Sequence, residues 1–305
     1  MIQQSLLKKG ILVVFVLLIN VGFAQQDPQY TQYMYNTMSV NPGYAGQRDV
    51  LSITGLHRSQ WVGLDGAPQT QTLAVHSPLR NDAIGLGLSI VNDKIGPTSE
   101  TYFDVDFSYT IKTSDEGKLS FGLKGSAHML DIRYSELDEF EVDPQLQSQQ
   151  DIQNKFSPNI GAGVYYHTDK FYAGISAPRM LETTHFDSSS ASTAKEQMNL
   201  YLITGYVWDL NPSLKFKPTL LTKTVQGAPL QVDLSANFML NEKFIGGVAY
   251  RWDAAFSGLM GFMLSDQFMI GLAYDREISE LGAATFNDGS FEIILRYDFI
   301  RNIGN

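Results

Sequence analysis

The chain has 305 residues, a formal net charge of −10, 12% aromatic side chains, 26 glycines and no cysteine. An acidic balance of that size argues against nucleic acid as a partner, because phosphate binding is carried by clustered lysine and arginine. The absence of cysteine rules out a disulfide framework and a lipid anchor on an amino-terminal cysteine.

The first element in chain order is a leader. Lys8 and Lys9 precede an unbroken apolar run from Ile11 to Ile19, followed by the small residues Gly22 and Ala24. This pattern reads as a secretory signal peptide over residues 1–24, cleaved between Ala24 and Gln25. Its apolar core is too short for a helical span, which needs roughly 20 residues. Removing it takes away two lysines and no acids, which moves the net charge from −10 to −12.

Residues 25–47 follow and have no sustained period. They carry Tyr30, Tyr33, Tyr35 and Tyr44 around the turn sequence Asn41-Pro42-Gly43, which steers the chain into the first strand. Tyrosines in so short a stretch are poorly placed on a disordered tail, where little apolar area can be buried. With its amino terminus in the periplasm, the segment is expected either to lie beneath the following domain as a periplasmic contact or to fold into its lumen as a plug.

From residue 48 to 299 the pattern has a period of two. Thr101, Phe103, Val105, Phe107, Tyr109 and Ile111 alternate with Asp104, Asp106, Ser108 and Thr110, and Leu230, Val232, Leu234 and Phe238 alternate with Gln231, Asp233, Ser235 and Asn237. Fourteen such segments are expected, near 49–60, 69–78, 83–92, 99–112, 118–130, 158–167, 170–178, 198–209, 213–224, 229–240, 243–252, 255–264, 267–276 and 289–299. Lys215, Lys217 and Lys223 share the polar face of one segment. Burying three lysines inside a soluble sandwich would be costly, whereas a wet lumen accommodates them. The fold class is therefore all-β, a transmembrane antiparallel barrel of the outer-membrane kind, with residues 300–305 as a tail. Phe103, Val105, Phe107, Leu230, Val232 and Leu234 are expected to face lipid, and Asp104, Asp106, Lys215, Lys217 and Asp233 the lumen.

Connections alternate in length. Those at Arg80–Asp82, Ser114–Gly117, His167–Lys170, Leu210–Pro212, Leu240–Glu242 and Ser265–Asp266 are tight and read as periplasmic turns. The long ones, Asp131–Ser157, Arg179–Gln197 and Glu277–Gly289, read as extracellular. Trp208, Trp252, Tyr297 and Phe299 fall near strand ends, where interfacial aromatic girdles sit.

Sites for chemistry are sparse. His57, His76, His128, His167 and His185 are scattered, with no metal-ligand spacing, although His57 and His76 could form a cross-strand polar pair in the first hairpin. No nucleophile elbow, phosphate loop or dinucleotide fingerprint is present, so no enzyme and no cofactor is expected. The acids Asp131, Glu136, Asp138, Glu139, Glu141, Asp143 and Asp151 lack the spacing and turn glycine of a calcium loop and read as a solvated face. Arg58, Gln60 and Trp61 read either as a docking surface or as a lumen anchor for the amino-terminal segment.

Two blocks carry a family resemblance. Residues Gln26-Asp27-Pro28-Gln29-Tyr30-Thr31-Gln32-Tyr33-Met34-Tyr35-Asn36 lead to Val40-Asn41-Pro42-Gly43-Tyr44-Ala45-Gly46. His57-Arg58-Ser59-Gln60-Trp61-Val62-Gly63 is followed by Gly66-Ala67-Pro68-Gln69-Thr70. With the last strand, Phe291 to Phe299, these resemble the PorP/SprF proteins of the type IX secretion and gliding systems of Bacteroidota across essentially the whole mature chain. The resemblance implies an outer-membrane component that supports export or retention of a paired secreted surface protein, often an adhesin. Its implied partners are outer-membrane lipid and periplasmic type IX components. Tyr30, Tyr33, Asn41, Pro42, Tyr44, Arg58, Gln60 and Trp61 become the candidate partner or plug contacts. The other class the pattern allows is a transport barrel, a porin or a channel for hydrophobic compounds.

Overall fold

The computed structural model describes residues 29–79, 82–136, 150–181, 197–278 and 288–300. One antiparallel sheet contains β1 (Ser52–Ser59), β2 (Gln69–Pro78), β3 (Ile84–Ile95), β4 (Thr98–Lys112), β5 (Lys118–Ile132), β6 (Ile152–His167), β7 (Phe171–Ala177), β8 (Asn199–Tyr206), β9 (Trp208–Asn211), β10 (Leu214–Val225), β11 (Gln231–Leu240), β12 (Phe244–Arg251), β13 (Ala255–Met263), β14 (Phe268–Glu277) and β15 (Ser290–Asp298). β9 continues β8 past Val207 along the same neighbour, β10, so the fifteen elements make fourteen staves. β1 pairs with β15 and β10 with β11, which closes the sheet on itself. Every segment expected from the alternation is a strand.

β6 differs from its expected start. It begins at Ile152, so part of the expected loop before residue 158 is strand. The extension pairs with β5 up to a register shift between Leu130 and Ile132, where Asn154 takes a φ of +51° and its amide donates to Asp131 at 2.7 Å. The extra residue of that bulge hid the period there.

The alternation sorts side chains as expected. Phe103, Val105, Phe107, Leu230 and Leu234 are exposed on the outer wall, and Val232 is half-buried there; Asp104, Asp106 and Asp233 are buried on the inner wall. Trp208, Tyr297 and Phe299 are exposed at the short-turn end and Trp252 at the other, as a girdle requires. The first hairpin corrects one expectation. His57 lies opposite Gln71 on the outer wall, while His76 lies opposite Ser52 on the inner wall, so the two histidines do not meet. They belong to opposite phases of the two-residue period in the observed register, and the slip that would bring them together would turn every side chain of one strand to the wrong wall.

At one end of the barrel every connection is short. The other end carries the long ones, of which residues 137–149, 182–196 and 279–287 lie outside the described residues, as do the leader, most of the tail and His185. At the base of the acidic loop, Asp151 accepts the Ser135 amide at 3.0 Å and its hydroxyl at 2.8 Å, which holds its carboxyl below the usual range. The long connections are expected to face the cell exterior. An epitope inserted beside Ser189 should be stained on intact cells, and staining only after permeabilisation would reverse the orientation.

Candidate functional site

The chain from Gln29 to Asp49 runs inside the cylinder. Gln29 bonds to Gln231, and Tyr30 shares a 2.8 Å hydrogen bond with Thr72, both near the long-connection end of their strands. At the far end of the segment, Arg48 pairs with Asp298 at 2.6 Å and Asp49 with Lys118 at 3.1 Å, beside the short turns. The segment therefore descends the lumen before turning into β1.

Local chemistry explains its shape. Three 3-10 turns, Tyr33–Tyr35, Thr37–Ser39 and Pro42–Tyr44, fold it into a compact rod. The last starts at Asn41, whose side-chain oxygen accepts the Gly43 amide at 2.9 Å, with Pro42 at the first position, where a missing N–H costs nothing. The other end of the Asn41 amide donates to the Val164 carbonyl at 3.0 Å, so one fully buried side chain caps the turn and fastens it to β6.

The wall is shaped to receive this rod. Tyr33, Met34 and Val40 pack with Tyr165, Tyr201, Ile203, Leu221 and Leu259, and Tyr30 packs with Leu56, Ile245, Met269 and Ile294. Glycines on the inner wall give it room. A Cβ at Gly122 would meet the backbone of Pro42 and Gly43, and one at Gly85 would meet the carbonyl of Ala45. Adding that single carbon by Gly122→Ala is expected to destabilise the barrel by about 1–3 kcal/mol through overpacking. Gly125→Ala, at a position with open space around it, should be near neutral. Urea unfolding of the two variants would separate them, and equal stabilities would show that the close approach does not matter.

Several charges on the inner wall meet opposite charges, and others meet aromatic faces. Arg58 contacts Asp275 at 2.7 Å and Glu292 at 3.3 Å, with all three side chains at most 3% exposed. Thr31 joins them: its hydroxyl donates to Asp275 at 2.6 Å and accepts from Arg58 at 3.0 Å. The amides of Thr31 and Gln32 each donate to Glu292 at 2.9 Å. Lys124 is held between Asp104 and Asp106 at 3.2 Å from each. Lys217 sits over the rings of Tyr35 and Tyr172 at 5.4 and 5.2 Å, and Lys223 over Tyr201 at 5.8 Å, while Lys215 reaches Glu242 at 2.6 Å near the rim. Lys217 and Lys223 thus face inward as the alternation requires, with aromatic faces beside their ammonium groups. A small recess remains between the segment, at Tyr30, Asn36 and Val40, and the wall at Thr72, Asp104, Lys124 and Arg179.

Of the sequence-predicted residues, Tyr30, Tyr33, Asn41, Pro42, Tyr44 and Arg58 come together in the lumen. Tyr44 stands edge-on to His76 and Tyr165. Gln60 and Trp61 do not join them. Trp61 is 37% exposed on the long-connection rim, with a φ of +47° and its indole N–H donated to Glu277. Asp275, Glu292, Asp298 and the inner-wall glycines are partners that sequence reading missed. Among the described residues, no three histidine, aspartate or glutamate side chains converge as a metal site.

Among solved structures, the chain is similar to the outer membrane protein Omp33 of Acinetobacter baumannii, with 7% identity over 82% of this chain and 98% of that one and a TM-score of 0.50. It is also similar to the toluene transporter TbuX of Ralstonia pickettii, with 11% identity over 86% and 92% and a TM-score of 0.49. At such identities the likeness to Omp33 speaks to an outer-membrane barrel fold alone. No curated protein matches the sequence. The model of the type IX secretion system membrane protein PorP/SprF family matches residues 22–297, nearly the whole chain, and the protein belongs to that family.

Proposed function

We propose that this barrel is a non-enzymatic part of the type IX secretion and gliding machinery, which supports export or surface retention of a partner secreted protein such as an adhesin. The signal peptide, residues 1–24, is removed on export, and the barrel then resides in the outer membrane. The observation that carries this reading is the occupied lumen in a member of a secretion family. A barrel whose interior is packed with its own residues 29–49 is poorly suited to conduct a protein and well suited to present two rims to partners. The segment acts as a plug. The long-connection rim, with Trp61 exposed, meets the secreted partner, and the short-turn rim meets periplasmic components.

The test is isolation of the tagged protein from native outer membranes under mild detergent, with the bound proteins identified by mass spectrometry. A large secreted protein and periplasmic secretion components should co-isolate. A barrel recovered alone, from cells whose secretion is unaffected by its deletion, would overturn the reading.

A further inference from the structure

We propose that the segment Gln29–Asp49 is a strap that fastens the barrel's closing seam, the pairing of β1 with β15, from inside. This goes beyond its role as a plug, since a plug could fill the lumen without holding any particular strand.

The segment touches many strands, through Ser108 on β4, Val164 on β6 and Ser176 on β7 among others, but its buried bonds to charged groups fall on β14 and β15. β15 points Ser290, Glu292, Ile294, Arg296 and Asp298 into the lumen, and all five are buried. The segment takes hold of this row at both ends and in the middle. Near the long connections, the Thr31 and Gln32 amides end on Glu292. In the middle, Tyr30 packs in the same apolar group as Ile294. Near the short turns, Arg48 forms a two-pronged pair with Asp298, at 3.0 Å from Nε and 2.6 Å from Nη2.

Those grips also cross the seam. Arg58 belongs to β1, opposite Glu292 in the ladder, and reaches Glu292 on β15, Asp275 on β14 and the Thr31 hydroxyl together. Arg48 lies four residues before Ser52, which is itself the ladder partner of Asp298. Each end of the seam is therefore closed by a buried carboxylate of β15 held by an arginine and, at one end, by two segment amides. Charge-assisted bonds of this kind are the strong ones, and they are directional. β4 and β5 differ in kind: their buried carboxylates Asp104 and Asp106 are held by Lys124, a wall residue, and the segment reaches these strands by neutral bonds to Ser108 and Thr110 and by the exposed Asp49–Lys118 pair. The expected consequence is local, a seam whose protection from solvent depends on the strap.

Hydrogen exchange read by mass spectrometry on the full chain in detergent tests this. Glu292→Gln keeps the shape of the side chain but leaves one of the two amides facing an N–H. Asp106→Asn is the control on β4. With Glu292→Gln, amide exchange in 52–59 and 290–298 should rise about tenfold while β4 and β5 are unchanged. Asp106→Asn should leave the seam alone. Equal exchange in seam and wall, or no change at all, would overturn the proposal. If Glu292→Gln does not fold, the wild-type chain with a protease site inserted after Asp49 is cut once folded and titrated with denaturant. Loss of seam protection together with release of the excised peptide, ahead of β4 and β5, supports the strap. Simultaneous loss everywhere, or seam protection that outlasts the peptide, overturns it. Conductance is a separate readout: a cut barrel that has released the peptide and conducts, while its seam stays protected, would contradict the strap and leave the plug standing.

Discussion

Replacing Arg58 with methionine is expected to lower the unfolding free energy of the barrel by about 3–5 kcal/mol. The size follows from what is left behind. Methionine is two bonds shorter than arginine but retains most of its apolar stem, so the loss is not chiefly one of packing. Asp275 and Glu292 stay where the sheet puts them, each almost without solvent contact, and lose the cation between them. Two buried carboxylates so close cannot both remain ionised without a counter-charge. The Thr31 hydroxyl also loses a donor. Arg58→Lys should recover only part of the loss, because an ammonium cannot present the fork that reaches two carboxylates and a hydroxyl at once. Urea titration in lipid vesicles, followed by tryptophan fluorescence, measures both variants. A methionine variant within about 0.5 kcal/mol of wild type would mean that the triad is not the anchor its geometry makes it.

Val105→Arg is the second large effect, expected at about 2–4 kcal/mol if the position lies near the bilayer midplane. Val105 is 54% exposed on the outer wall of β4, between the exposed Phe103 and Phe107, so an arginine there has only hydrocarbon around it. One residue on, Asp106 is fully buried against Lys124. The two positions invert each other's rules: a charge is costly at 105, and loss of a charge is costly at 106. Val105→Arg should be destabilising in bilayers and nearly harmless to solubility in detergent. Equal stability in vesicles would place β4 in the wrong phase.

The walls of this barrel were legible in the sequence because a sheet with oil outside and polar groups inside leaves a period of two in every strand. Phe103 to Phe107 and Leu230 to Leu234 showed it plainly. The contents of the lumen were only half legible. The tyrosines and Asn41-Pro42-Gly43 marked the segment as something other than a tail, yet its path down the lumen and its partners depend on residues more than 200 positions away, such as Asp275, Glu292 and Asp298. A signal for the filled lumen was present nevertheless. Gly85, Gly122 and Gly163 stand in the polar phase, where an open aqueous lumen would carry longer side chains, and each marks a place where the segment comes close. Leu56, Ile203, Ile245 and Ile294 are apolar residues in that same phase, and in the structure all four are buried. Departures from strict alternation on the inner wall thus recorded an apolar occupant. Trp61 could not have been separated from Arg58 by spacing, because the left-handed turn that sends one to the rim and leaves the other in the lumen carries no glycine at that residue.

Planar-bilayer recording on the purified full-length barrel tests the central claim most directly, beside a variant lacking residues 27–36. The wild type should insert without a large, stable conductance, because residues 29–49 stand in the path, and the shortened chain should conduct. A large and stable conductance from the wild type, unchanged by the deletion, would contradict the account and point to a transport channel.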